Sequence, residues 1–578
     1  MLFGAWVLVG AMMFVAIVQM PVTRTQEARV LVTAREMLGK PVEAWLLPRM
    51  NGEPRLRKPP LAYWLSAGAY GAFGMTPYVG RLPAWLAAWS TLAATFLIGR
   101  RLTGTRAAAL AAGALAGSWL FFKSAALAET DVLLMAAMTW GVYAIVLARA
   151  AGRAGAAGAE AAWWHAGALC MALAALTKGP QALCLLLMLV LLDALTPLAR
   201  RWPARAVERD IAGDAGGDVG VAFTGAAPGR RGGHCWRFVR SGAPLTLLAV
   251  GLPWFVYAFL HADGSALADD LANSAGGGLG HAKSFVTYLP MLLMATAPWP
   301  LIWGVGLVGA LRQWQAGTDG RTALILLTAW GAALLVPLLF WGNKQMHYLL
   351  PLMPAAMIAV GATLDDLTSR GSRASPLVDP GRIGRRVGQA VVVGMIGLLL
   401  VAVPGVLAYA WRNGLLVVED FIECGAAAAV AIVLIALWRG GRLAAGTVAV
   451  AGAIMVMFLA RDEWSEAARP GSPEAVATEL HRRFPDAQYV FRDAASLPLL
   501  VGLGGIVPVL DDAKLTALRG RTAEGNALIC LDTTTDSDQR VPPAGYERLT
   551  AFGSGRHAVA VSTVDGSRWD PDGVRDLP

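Results

Sequence analysis

Residues 322–341 read TALILLTAWGAALLVPLLFW and carry no charged side chain. At 1.5 Å per helical residue the stretch is long enough to cross a hydrocarbon core about 30 Å thick. Lipid offers the backbone no hydrogen-bond partners, so such a run predicts a helix that satisfies its own N–H and C=O groups. Twelve further segments meet or nearly meet the same test: 2–20, 82–99, 107–128, 132–149, 162–177, 180–197, 243–260, 286–311, 348–364, 388–410, 424–438 and 443–459. The expected fold is an α-helical polytopic membrane protein with about 13 transmembrane helices.

Composition agrees. Of 578 residues 56% are apolar and 15% charged, with a mean hydropathy of +0.52, whereas soluble domains carry about 25% charged residues. A purely soluble enzyme is excluded. The five cysteines (Cys170, Cys184, Cys235, Cys424, Cys530) are scattered with no CxxC spacing, so neither a disulfide framework nor a zinc site is expected. The net charge of +9 first reports topology and contact with anionic lipid, and no nucleic-acid partner is expected.

Arginine clusters set the topology. The first segment lacks a basic n-region and a small-residue cleavage site, so it reads as a retained span. With the N-terminus inside, Arg100, Arg101, Arg106, Arg200, Arg201, Arg230, Arg231, Arg370, Arg373, Arg385 and Arg386 all fall in cytoplasmic loops, as the positive-inside rule asks. The loop at 198–242 is Arg-rich, and its Gly/Ala-rich part reads as a flexible insertion. The first outer loop, 21–81, breaks the rule by being basic. A phosphate ligand or contact with anionic headgroups would each explain it. Within it, Glu27 to Leu38 and Leu61 to Phe73 read as helices lying along the interface. Residues 1–459 thus form the multi-span unit, and 460–578 a small periplasmic α/β domain with a helix at PEAVATELHRRF and strands at YVFRD, VPVL, ALICLD and HAVAVST.

Only seven of the 49 basic residues are lysine, and all seven fall on or near the outer side. The outer helix ends collect Glu27 and Arg29, Arg57 and Lys58, Glu129 and Asp131, Lys178, and then Lys344, His347 and Tyr348. Charges gathered at one face, with few at mid-depth, fit surface chemistry better than a transport pathway. Asp131 in AETDVLLM is either an N-cap carboxylate or an acid–base group held at the start of a rigid span. Lys58 precedes two prolines that stiffen the chain, so its ammonium projects from a defined place, either to a phosphate or to the interface. Thr177-Lys178-Gly179-Pro180 also suits a helix end with Gly as its cap. His347 and Tyr348 suit interfacial anchors as well as a site.

Taken in order, QEARVLVTAREML, NGEPRLRKPPLAYWL, GRLPAWL, ETDVLLM, ALTKGP, LPWFVYA, YLPMLLMATAPWPL and LFWGNKQMHYLLPLMP resemble the bacterial aminoarabinose transferase and protein-mannosyltransferase superfamily, of GT-C glycosyltransferase fold. The likeness covers about residues 1 to 360. It implies an inverting transfer of a sugar from a polyprenyl (undecaprenyl) phosphate donor to a hydroxyl of a cell-envelope acceptor, lipid A, glycan or protein, at the periplasmic face of the inner membrane. The family's base or acceptor-orienting acids map onto Asp131 and Glu27, but the first acid of the outer-loop pair falls on Gln26, which cannot take a proton. Arg57 stands where the aminoarabinose transferases carry Glu, which speaks against an amino-sugar donor. Where the family places a phosphate-binding arginine before span eight, this chain offers His281 and Lys283. Lys58, Arg57, Lys344, Tyr348, His347, Lys283 and Lys178 are the expected donor-phosphate residues, since cations preset in a poorly hydrated site stabilise the leaving phosphate. No tight carboxylate cluster is visible, and a divalent metal cofactor is left open. A transporter, or an assembly or sensor protein acting through its outer domain, are the other readings.

Overall fold

The computed structural model describes residues 20–201, 233–262, 285–316, 320–340, 344–368, 472–485, 487–518, 527–532, 546–552 and 559–568, with scattered positions in 10–18 and 377–391. The spans expected at 424–438 and 443–459 lie outside the described residues, as do most of those at 2–20 and 388–410.

Residues 21–81, the expected first outer loop, open with α1 (Thr25–Met37) and α2 (Val42–Leu46), turn through a two-stranded hairpin of β1 (Arg49–Met50) and β2 (Glu53–Pro54), and continue into α3 (Leu61–Phe73). Helices form at both stretches that the sequence reads as helical, 27–38 and 61–73. The bundle follows as α4 (Pro77–Thr103), α5 (Thr105–Ala116), α6 (Trp119–Ala125), α7 (Thr130–Arg153), α8 (Ala157–Lys178), α9 (Leu183–Arg201), α10 (His234–Arg240), α11 (Ala243–His261), α12 (Tyr288–Ala295), α13 (Pro300–Ala316), α14 (Gly320–Phe340) and α15 (Met353–Thr368). Among the described residues five helices are long and apolar enough to cross a membrane, or up to seven if each of two bent pairs counts as one span. The chain is a polytopic helical membrane protein.

Two expected spans are broken. The segment at 107–128 bends by 65° between α5 and α6, and that at 286–311 bends by 105° between α12 and α13. In the second, Pro298 and Pro300 remove the N–H groups that would continue the ladder. The two breaks repair each other: the Trp119 N–H donates to the Ala297 carbonyl at 3.0 Å, and the Trp299 indole N–H donates to the Ala114 carbonyl at 2.8 Å. Broken helices persist at membrane depth only where protein takes up the freed groups, and Trp299 is fully buried.

The C-terminal part contributes α16 (Pro473–Arg483), β3 (Gln488–Arg492), α17 (Leu497–Leu503), β4 (Val509–Leu510), α18 (Asp512–Leu518), β5 (Ala527–Asp532), β6 (Tyr546–Phe552) and β7 (Val559–Arg568). Its sheet runs β4-β3-β5-β7-β6, with β3 parallel to β4 and β5, and β7 antiparallel to its two neighbours. Strand β6, YERLTAF, escaped the sequence reading because its charged residues hide the alternation. This part shares a core with residues 21–81: Leu31, Tyr63 and Tyr70 pack in one cluster with Leu480, Phe491 and Leu500. Arg35 donates to the carbonyls of Leu500 (3.3 Å), Val501 (3.4 Å) and Gly505 (2.8 Å) at the end of α17. The Asn51 amide exchanges a reciprocal pair with the backbone of Val507, at 2.8 and 2.9 Å. Asn51 tolerates the left-handed φ of 55° that this hairpin tip needs.

One buried ion pair ties α1 to α4 of the bundle. Glu27 on α1 and Arg81 on α4 are both 0% exposed, and the guanidinium grips the carboxylate with Nε and Nη2 at 2.6 and 3.0 Å. Its remaining N–H groups donate to the carbonyls of Ile17, Met20 and Pro21, where the first apolar segment ends. Removing one partner leaves a buried charge alone, which costs about 3–5 kcal/mol. Glu27→Gln is therefore expected to lower the thermal unfolding temperature in detergent markedly, whereas Glu479→Gln, which breaks the surface pairs with Arg482 (2.6 Å) and Arg483 (2.5 Å), should shift it little. Equal shifts in the two variants would contradict this.

Candidate active site

The site assembles where three chain ends meet. The Arg55–Lys58 run leaves β2 and is stopped by Pro59-Pro60 before α3 begins. Glu129 sits in extended backbone (φ −116°, ψ 149°) as the N-cap of α7 without a side-chain capping bond, and Asp131 follows in the first turn. Helix α8 ends at Lys178, with Gly179 beyond it at φ 68°. The N-cap alternative for Asp131 is not what forms. Its carboxylate points across the bundle.

Asp131 is 2% exposed. Its Oδ1 is paired with the Lys178 ammonium, and its Oδ2 lies 4.0 Å from His347 Nε2 and 3.5 Å from the Thr130 hydroxyl. Lys178 also sits 4.3 Å from the centroid of the Tyr348 ring, a cation–π contact, and His347 meets Tyr348 edge-on at 4.7 Å. The Lys58 ammonium donates to the Thr130 hydroxyl at 3.1 Å. Burial lowers the Lys58 pKa below its ordinary value, opposed by Asp131 and Glu129. The sequence-predicted residues Asp131, Lys58, Lys178, His347 and Tyr348 thus form one constellation.

The others are placed differently. Glu27 has both oxygens held by Arg81, with a further bond from the Ala128 N–H at 3.0 Å, and no solvent access. It is a positioned anchor, with no face left for an acceptor. Lys344 is buried, 5.7 Å from the Tyr288 ring centroid and donating to the Leu339 carbonyl at 3.3 Å. Arg57 is exposed on the loop, close enough to Arg29 to lower its pKa. Lys283 and His281 lie outside the described residues.

Two arginines outside the expected donor-phosphate set stand beside Lys58. Arg55 is 8% exposed and Arg29 half-buried on α1, and each has a buried Nε with no hydrogen-bond partner among the described residues. Burial, then the neighbouring Arg55 and Arg57, hold the Arg29 pKa below its ordinary value. Buried cationic donors without partners are costly unless an anion completes them. The RLRK run was the available signal for Arg55. Arg29 already stood among the outer charges in the sequence, but its place beside Arg55 and Arg57 needed the fold. Among the described residues, no group of three or more His, Cys, Asp or Glu side chains gathers to hold a metal ion.

Broken spans, a docked C-terminal α/β part and a charged cluster at one end of the bundle define the class: the chain has the fold of the GT-C membrane glycosyltransferases. ArnT from Cupriavidus metallidurans, solved bound to undecaprenyl phosphate, superposes with a TM-score of 0.71 at 19% identity, covering 97% of each chain. Its apo form gives 0.69 at 18%, covering 96% of each. Residues 57–207 match the family model of dolichyl-phosphate-mannose-protein mannosyltransferase. The undecaprenyl phosphate-alpha-4-amino-4-deoxy-L-arabinose arabinosyl transferases of Aeromonas hydrophila and Aeromonas salmonicida are 32% and 33% identical over 163 residues, which is 27% of this chain. The aligned part spans 26% of the length of those curated relatives.

Proposed function

We propose that this chain is an inverting glycosyltransferase that moves a sugar from a polyprenyl-phosphate donor to a hydroxyl of a cell-envelope acceptor, lipid A, glycan or protein, at the periplasmic face of the bacterial inner membrane. The observation that carries the reading is a set of cationic donors, the buried Arg55 with the half-buried Lys58 and Arg29, standing beside the carboxyl groups of Glu129 and Asp131 at one end of the bundle. The whole-chain likeness to a protein solved with undecaprenyl phosphate supports the lipid donor.

On this reading Lys58, Arg29, Arg55 and Arg57 hold the phosphate and stabilise the charge that grows on its leaving oxygen. Asp131 keeps Lys178 charged and in place, and orients the acceptor side of the site. Residues 1–459 are the catalytic membrane unit, and 460–578 form a periplasmic domain that braces the hairpin leading into Arg55 and Lys58. Arg57 beside the phosphate disfavours a cationic sugar, so a neutral or acidic donor is the expected one. Purified protein would be incubated with undecaprenyl-phosphate sugars of neutral, acidic and amino type and a membrane-lipid extract, with products followed by mass spectrometry. Transfer from a neutral or acidic donor is expected; transfer from the amino-sugar donor alone would contradict the role given to Arg57.

A further inference from the structure

A hydroxyl acceptor must lose its proton, and most of the carboxylates around the site are already committed. Gln26 has no basic oxygen. Glu27 is sealed against Arg81. Asp131 is engaged on Oδ1 by Lys178 and faces His347 and Thr130 with Oδ2, so its charge is spent on neighbours. Glu129 is different. It is 5% exposed, and its buried Oε1 faces the Arg24 guanidinium at 2.8 Å as an ion pair while accepting no hydrogen bond among the described residues. It also precedes Thr130, the residue on which the Lys58 ammonium docks, so it lies beside the place proposed for the donor phosphate.

We propose that Glu129 is the proton acceptor of the transfer. The acceptor O–H proton passes to the Glu129 carboxylate as the acceptor oxygen forms its bond to the anomeric carbon. The bond from that carbon to the phosphate oxygen breaks, and its electron pair leaves with the polyprenyl phosphate. This assignment rests on the transferase reading above.

The groups facing Glu129 are Arg24 ahead of α1, Glu27 on α1, Lys58 on the loop and Asp131 on α7. Burial raises the Glu129 pKa to about 7, with Arg24 and Lys58 opposing and Asp131 and Glu27 adding to the rise. A base of this kind works once deprotonated, so kcat/KM should climb with pH through about 7 and then level.

The test is a pH–rate profile of wild type, Glu129→Gln and Glu129→Asp in detergent, alongside binding of undecaprenyl phosphate alone. Glu129→Gln should lose at least about 100-fold in kcat/KM and lose the acidic limb, with binding of undecaprenyl phosphate unchanged. Glu129→Asp should keep the limb and part of the rate, and it carries the test if the glutamine variant does not fold. A Glu129→Gln enzyme that keeps the wild-type limb and rate overturns the assignment while leaving the transferase standing. A wild type that turns over no donor overturns the transferase reading and this role with it.

Discussion

Lys58→Ala is expected to lower turnover at least about 100-fold, the scale of one lost charge-stabilising donor in an enclosed site. The reason lies in where the ammonium sits. Pro59 and Pro60 fix the chain that carries it, and Thr130 accepts its hydrogen bond at 3.1 Å. Burial depresses its pKa, so the folded protein holds this cation at a cost that a bound anion offsets. A leaving phosphate gains negative charge as the glycosidic bond breaks, and a preset cation stabilises it without reorganising. The loss should appear mainly in kcat, since Arg29 and Arg55 remain to hold the ground-state phosphate. Steady-state assays of released polyprenyl phosphate would measure it; near-normal turnover would remove Lys58 from the mechanism.

Asp131→Asn should be comparably severe, at least about 100-fold, and should also destabilise the protein. The carboxylate is the anionic partner of the buried Lys178, with His347 4.0 Å away and Lys58 docked on the adjoining Thr130. Asparagine keeps the shape and loses the charge, which strips Lys178 of its ion-pair partner and leaves it against the Tyr348 ring, at 4.3 Å. The double variant Asp131→Asn, Lys178→Met separates the two effects, because a neutral pair removes the stranded cation. Its unfolding temperature should recover toward wild type while turnover stays low. Recovery of turnover together with stability would show that Asp131 matters to folding alone.

Much of this was legible in the sequence because hydrophobic runs and interfacial helices are local properties. Helix α3 begins and ends at the residues that the sequence reading assigns, Leu61 and Phe73, since Pro60 starts it and Gly74 stops it. The broken spans were less legible, because a run of apolar residues carries the same signal whether it is straight or bent, and the compensating bonds from Trp119 and Trp299 come from distant segments. Lys58, Asp131 and Lys178 could be nominated because charge beside an apolar segment is conspicuous. Their pairing could not, since Asp131 and Lys178 are joined only by the packing of α7 against α8. Glu27 shows the reverse: a carboxylate in a catalytic-looking motif whose oxygens the fold gives to Arg81.

The central claim is that the cations around Lys58 receive the phosphate of a lipid-linked sugar. The most direct measurement is release of undecaprenyl phosphate from undecaprenyl-phosphate sugars by the purified protein with a membrane-lipid acceptor, with Lys58→Ala beside it. Release coupled to a glycosylated product by wild type, lost in the variant, is the predicted result. No release from any of these donors by folded wild type, or equal release by the variant, would contradict it.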